Sequence, residues 1–447
     1  MFDVPPQSAA TALSISAAAR EAPERIAVHC DGRAWRFAEL AAAVQTRAAQ
    51  LVLAGRSPYP LLGSNSFDTV LTLYALLEAR QPVLLLHPKL TAAEQTAEID
   101  ATLAAAAHLP PDAAAIIYTS GTTGRARGAV LTYGALLASA QASAANLGWQ
   151  DDDCWLLAMP LARIGGLSIL TRSLAARRAV ALAPGFDATL LPQSIERHRI
   201  TLLSLVPTML ALLLDAHPQW CPPPHLRAVL VGGAPASPKL LARAAKRGLP
   251  VVLTYGCTET CSQVVATPYA QRFDTAAWSA GRALAGVDLR IKDGRILMRG
   301  PMRMAGYLGE PPLAADAWFN TGDLGALDAH GCLQVHARAG DLIVTGGDNV
   351  YPAEVERVLA TCPGIAEAAV FGLADDTWGE VVCAALVADG AASSDEYIAA
   401  FIEANLARHK RPRRFCFVPA LPHTGGSKLD RQALSALAAA LRPVSRE

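Results

Sequence analysis

Tyr118-Thr-Ser-Gly-Thr-Thr-Gly-Arg-Ala-Arg-Gly128 follows directly on the apolar run Ala113-Ala-Ala-Ile-Ile117, and the change from one to the other reads as a buried strand that ends in a loop. The loop concentrates glycine, hydroxyl and basic residues. Glycines let a backbone come close to an anion with its N–H groups exposed, Ser and Thr hydroxyls donate further hydrogen bonds, and Arg125 and Arg127 add positive charge. Thr119, Ser120, Gly121, Thr122, Thr123, Gly124 and Arg127 are therefore candidate phosphate-binding residues, and ATP is the guest that such a loop suits. The spacing is not Gly-x4-Gly-Lys-Ser/Thr, and no Gly-x-Gly-x-x-Gly follows a strand-like run, which disfavours two common nucleotide-binding folds.

Five further segments lie downstream in the same chain. Ala228 to Val231 is a short apolar run leading into Gly232-Gly-Ala-Pro235, and Thr254-Tyr-Gly-Cys-Thr-Glu-Thr260 places a carboxylate among hydroxyls. Trp318-Phe-Asn-Thr-Gly-Asp-Leu324 and Arg338-Ala-Gly-Asp-Leu-Ile-Val-Thr-Gly-Gly-Asp-Asn-Val-Tyr-Pro352 follow, and Pro422-His-Thr-Gly-Gly-Ser-Lys-Leu-Asp-Arg431 comes last. A carboxylate beside a phosphate makes physical sense when a hard cation bridges them, and Mg2+ takes one or two carboxylates with phosphate oxygens and water. An ionised aspartate is an acceptor only, able to take two hydroxyls at once.

Taken in this order, the six segments resemble the signatures of adenylate-forming enzymes, the family of acyl-CoA synthetases, peptide-synthetase adenylation domains and luciferases. Ala126 stands for that family's proline in the first signature, Arg127 for its lysine, and Ser427 for the last glycine of the C-terminal one. The resemblance implies that Gly233 and Ala234 border adenine, that Tyr255 stacks near it beside Gly256, and that Thr258 touches the adenylate phosphate. It implies Mg2+ on Glu259, the ribose hydroxyls on Asp323, and Arg338 on ribose or phosphates. Lys428 is then the catalytic lysine, a compact ammonium between the acyl carboxylate and the α-phosphate.

The resemblance further implies ATP, Mg2+ and CoA as reaction partners of a small carboxylic acid, and a hinge two residues after Arg338, at Gly340. Trp155-Leu-Leu-Ala-Met-Pro-Leu-Ala-Arg-Ile-Gly-Gly-Leu-Ser-Ile-Leu170 and Thr254 to Gln263 resemble the o-succinylbenzoate-CoA ligases of menaquinone biosynthesis within the family. Arg163 replaces a histidine usual there; its guanidinium either holds a second carboxylate of the acid or faces CoA phosphates and solvent. Gly165, Gly166, Thr208 in Val206-Pro-Thr-Met-Leu210, and Ser262 are the other candidate acyl-pocket residues. Two other readings share every ATP motif: a ligase for simpler aryl acids, and a stand-alone adenylation enzyme that loads a carrier protein. Many family members are homodimers, but no segment of this sequence marks an interface.

Composition agrees with this picture. At 447 residues and 52% hydrophobic content the chain can bury a large core and divide into at least two domains. Formal net charge is zero and the basic cluster Arg408 to Arg414 is short, which argues against nucleic acid as a partner. The nine cysteines are scattered without a C-x-x-C pair, the pattern of a reducing cytoplasm. No apolar run is long enough to cross a bilayer, and Met1 to Ala10 lacks the features of a secretory signal.

Periodicity predicts helices over 70–79, 92–107 and 189–197, and strands over 83–86, 179–183, 202–206 and 228–231. That alternation is the βαβ rhythm of a parallel sheet with helices on both faces. The expected architecture is α/β: a large N-terminal domain over 1–339, with parallel or mixed sheets flanked by helices, and a small α+β lid over 340–447. Within the lid, 352–359 and 394–408 read as helices and 367–372 and 381–387 as strands.

Overall fold

The computed structural model describes residues 9–51, 55, 57–120, 126–274, 279–345, 348–375, 377–390, 394–423 and 429–444. Within them the chain is a mixed α/β protein built on four sheets. The largest has nine strands, and its centre is parallel: Val251–Cys257, Ala228–Val231, Leu202–Leu205, Cys154–Leu157, Ala179–Leu182 and Ile26–Cys30 lie side by side in that order. Strands buried on both faces read as unbroken apolar runs, and Cys154–Leu157 and Ala228–Val231 are buried at every position.

A second, five-stranded sheet carries the opening motif. Tyr59–Leu62, Val83–Leu86 and Ala113–Ser120 run parallel, and Ala126–Thr132 turns back antiparallel to Ala113–Ser120. The glycine-rich segment thus joins two antiparallel strands, not a strand and a helix as in the two disfavoured nucleotide folds. Residues 121–125 lie outside the described residues. A four-stranded antiparallel sheet, Asp288–Lys292 to Leu333–Arg338, completes the N-terminal part.

Several helices begin where short polar side chains can accept orphan N–H groups. Ser66 accepts from the Thr69 N–H before Phe67–Glu78, Thr132 from that of Ala135 before Tyr133–Leu147, and Thr91 with Glu94 forms a reciprocal capping box before Ala92–Ala104. The helix Ile164–Ala176 is different, because its N-cap is Arg163 and no side chain caps it.

Most expected elements form within a few residues of their predicted bounds. Two differ informatively. The predicted strand 367–372 extends over Ile365–Asp375, because ten of its residues pair antiparallel with Gly379–Ala388 across a tight turn whose N–H groups at Thr377 and Trp378 are taken by Asp375. The predicted helix 394–408 stops at Asn405, and a short 3-10 turn, Arg408–Lys410, follows before Pro412. Two buried apolar clusters of the C-terminal part contain only residues from Ile343 onward, whereas the three others end by Leu333. Lys239 bridges the two parts, its ammonium donating to the carbonyls of Cys362 and Ile365 at 3.2 and 2.8 Å.

Candidate active site

The parallel strands of the large sheet end on one cavity of about 390 Å³, a size suited to a small ligand. Thr119, Arg127, Gly233, Ala234, Gly256, Thr258, Glu259, Ser262 and Arg338 line it, as do Arg163 and Gly165. Segments far apart in sequence therefore meet where parallel α/β sheets place ligands, outside the carboxyl ends of the strands. Gly256 is demanded by packing: a Cβ there would lie 1.9 Å from the Ser262 carbonyl oxygen, a backbone atom that cannot move aside cheaply. We expect Gly256→Ala to lower ATP-dependent pyrophosphate release by about tenfold or more, the equivalent of ~1.4 kcal/mol, with the circular dichroism spectrum retained; unchanged release would show that the turn can shift.

Glu259 stands in the 3-10 turn Thr258–Thr260. Its Oε1 accepts from the Tyr307 hydroxyl at 2.9 Å and from the Thr119 hydroxyl at 3.4 Å. Burial first, and then the charge of Glu259, push the Tyr307 phenol upward, so it stays a donor. Among the described residues no three His, Cys, Asp or Glu side chains converge on a metal site. A single carboxylate flanked by hydroxyl oxygens suits Mg2+, which completes its shell with phosphate oxygens and water. Arg127 is held nearby, its guanidinium 3.4 Å above the Tyr307 ring and 2.6 Å from Glu310.

Asp323 and Tyr255 lie behind the cavity wall. The Tyr255 hydroxyl donates to Asp323 Oδ2 at 2.7 Å, and Arg338 Nε reaches Oδ1 at 2.9 Å. Both carboxylate oxygens of Asp323 are thus engaged, and Asp323 is only 7% exposed. Gly121, Thr122, Thr123, Gly124 and Lys428 lie outside the described residues. Ser120 ends its strand opposite Ala126. Thr208 is not part of the cavity wall, although its neighbour Val206 is, and its buried hydroxyl has no partner among the described residues. Gly166 also lies off the wall, close-packed on Pro160, whose carbonyl oxygen a Cβ would meet at 2.3 Å.

The residue that sequence reading passes over is Arg172. It lies two turns along the helix Ile164–Ala176, is 2% exposed and still borders the cavity. One nitrogen donates to Ser139 Oγ at 3.1 Å, while Nε has no partner among the described residues. Burial pushes the guanidinium down to about 10, offset partly by Cys261, and it remains cationic at neutral pH. Arg163, by contrast, is half-buried at the helix N-cap, and burial lowers it while Glu98 opposes the shift. Glu98 is pushed up to about 7, mainly by burial. Of the two arginines only Arg172 combines full burial with an unsatisfied donor. Its signal in the sequence was a lone charged residue inside an otherwise uncharged helix, Ile164 to Leu174.

Comparison with known proteins bears out the family resemblance carried by the signatures. The AMP-binding enzyme family matches residues 95–308, and the AMP-binding enzyme C-terminal domain matches residues 354–428. The chain belongs to this family, the adenylate-forming ligases.

Its relatives narrow the class further. A protein of Bacillus pumilus (strain SAFR-032) named 2-succinylbenzoate--CoA ligase is 37% identical over 92% of this chain and 95% of its own length. The o-succinylbenzoate CoA synthetase of Bacillus subtilis, in complex with its acyl-adenylate intermediate, shares the fold with a TM-score of 0.83 and 34% identity, over 94% of this chain and 97% of that one. The same enzyme with ATP and magnesium ion gives 0.82 at 34% identity, over 94% and 98%.

Proposed function

We propose that this chain is an ATP-dependent o-succinylbenzoate-CoA ligase with Mg2+ as cofactor. One carboxylate of the acid attacks the α-phosphorus of ATP, forming a C–O–P link and expelling pyrophosphate. The thiolate of CoA then attacks the acyl carbon, forms the thioester and releases AMP. Full-length similarity to ligases of this name supports the reading. The observation that carries it to this acid is Arg172, a buried guanidinium with an unsatisfied N–H on a cavity otherwise fit for an adenylate. Leaving such a donor unmade is costly unless a ligand completes it, and a second carboxylate on the substrate does so.

The residues divide the work. Arg127 and Lys428 offset the repulsion between carboxylate and triphosphate, Thr119 and Thr258 offer hydroxyls to phosphate oxygens, and Glu259 holds the cation. Bound there, Mg2+ neutralises phosphate charge. Ser204, in the same wall as Arg172, accepts from Trp155 Nε1 at 3.1 Å and has its own proton to donate to the acid. Steady-state pyrophosphate release with o-succinylbenzoate, against a keto acid of the same skeleton without the ring carboxylate, tests the assignment. A strong preference for the diacid is expected, and equal kcat/KM for the two acids would overturn it.

The division at 339/340 with a hinge at Gly340 belongs to the same proposal. Its support is the change of apolar cluster across this point and the short 3-10 turn Ala339–Asp341 that carries the glycine. A Cβ at Gly340 would meet nothing within 4 Å among the described residues, so this lid position does not itself require glycine; the other position, after rotation, is where free φ and ψ matter. Gly340→Pro should preserve adenylate formation and lower thioester formation by about tenfold or more, ~1.4 kcal/mol or above. Full rates in both half-reactions would remove the hinge from this residue.

A further inference from the structure

Ser139 lies in the helix Tyr133–Leu147, outside every signature segment, and is 2% exposed. Its hydroxyl makes two contacts. It accepts from the Arg172 guanidinium at 3.1 Å and donates to the Cys261 carbonyl oxygen at 2.6 Å. The direction of this chain is fixed, because a guanidinium can only donate, which leaves the single hydroxyl proton for the carbonyl.

Cys261 is a sensitive place to hold. It follows the turn Thr258–Thr260 immediately, and Cys261 and Ser262 have φ of 49° and 87°, two successive non-glycine residues in left-handed backbone. Such conformations persist only when surrounding contacts impose them. The turn they close is the one that presents Thr258 and Glu259 to the cavity. One buried hydroxyl therefore stands between the cation bordering the acid and the backbone that aims the phosphate and metal ligands.

We infer that Ser139 is a positioning residue that couples occupation of Arg172 by the acid's second carboxylate to the ordering of the Thr258–Glu259 turn. This rests on the assignment of Arg172 made above. A carboxylate on Arg172 fixes the guanidinium, the fixed guanidinium orients the Ser139 hydroxyl, and the oriented hydroxyl restrains the Cys261 carbonyl. Binding of the correct acid then prepares the ATP side of the site, and acids without the second carboxylate leave the turn looser. Coupling of this kind is reciprocal, so a ligand that orders the turn also favours the acid.

The test is amide hydrogen exchange over residues 257–263 in the full-length protein, with AMP present throughout so that no reaction occurs. Saturating o-succinylbenzoate should slow exchange there in the wild type, and the keto acid without the ring carboxylate should not. In Ser139→Ala the diacid should bind about tenfold more weakly, as expected for loss of a hydrogen bond to a charged group, and at saturation should give no added protection. Ser139→Cys, which keeps the volume but has only a weak donor, should behave in the same way and serves if the alanine variant folds poorly. A role in stability alone would raise exchange equally with and without acid, and acid-dependent protection that persists in both variants would overturn the coupling. If the wild type binds both acids equally, it is the assignment of Arg172 that fails.

Discussion

Lys428→Ala is expected to lower adenylate formation, read as pyrophosphate release, by about 10²–10³-fold or more, the scale of removing one preorganised donor from a developing charge. Thioester formation from supplied acyl-adenylate should survive. The first half-reaction brings a carboxylate onto a polyanion, and in the role proposed for Lys428 its ammonium is a compact point charge that neutralises both as pyrophosphate departs. The second involves no such approach. The base of the lysine segment is fixed in the structure by the bridge between His423 and Leu429 and by Arg431, which pairs with Glu356 at 2.8 Å and Asp341 at 3.0 Å. A local charge deletion should therefore leave the melting temperature nearly unchanged. Equal loss in both half-reactions would point to another lysine.

Arg172→Met should lower kcat/KM for o-succinylbenzoate by about 10²–10³-fold, because truncating one partner of a buried charge pair costs roughly 2–5 kcal/mol. The keto acid without the ring carboxylate should lose far less, and the preference between the two acids should largely vanish. Methionine fills most of the volume of the arginine stem and removes an unsatisfied buried donor, so the variant should be no less stable than the wild type in thermal unfolding. Arg163→His serves as a contrast. Arg163 lies at the helix N-cap with Glu98 as its charged neighbour, and its replacement should change the preference between acids much less. The reverse pattern would move the second carboxylate to Arg163.

The α/β class, the six signatures and the family were legible in the sequence because they depend on local pattern. Buried parallel strands such as Ala228–Val231 appear as continuous apolar runs, and Gly256 is dictated by a backbone approach within one turn. What was not legible depends on contacts between distant segments. The Tyr307 bond to Glu259 spans 48 residues, and Ser139 meets Cys261 across 122. Arg172 in an otherwise uncharged, buried helix looks like an interruption of the core until the cavity beside it is seen. Arg163 drew attention because it departs from a family motif, yet its charged neighbour Glu98 lies in a helix that no motif marks. Thr208 shared a motif with wall residues, but the helical turn that starts at Pro207 takes it off the wall.

The most direct measurement is mass spectrometry of the products formed when the pure protein is mixed with ATP, Mg2+, CoA and a panel of acids that includes o-succinylbenzoate and simple benzoates. The predicted result is o-succinylbenzoyl-CoA with AMP and pyrophosphate, formed selectively from the diacid. Acyl-adenylate that accumulates without thioester, or turnover of simple benzoates with o-succinylbenzoate left untouched, would contradict it.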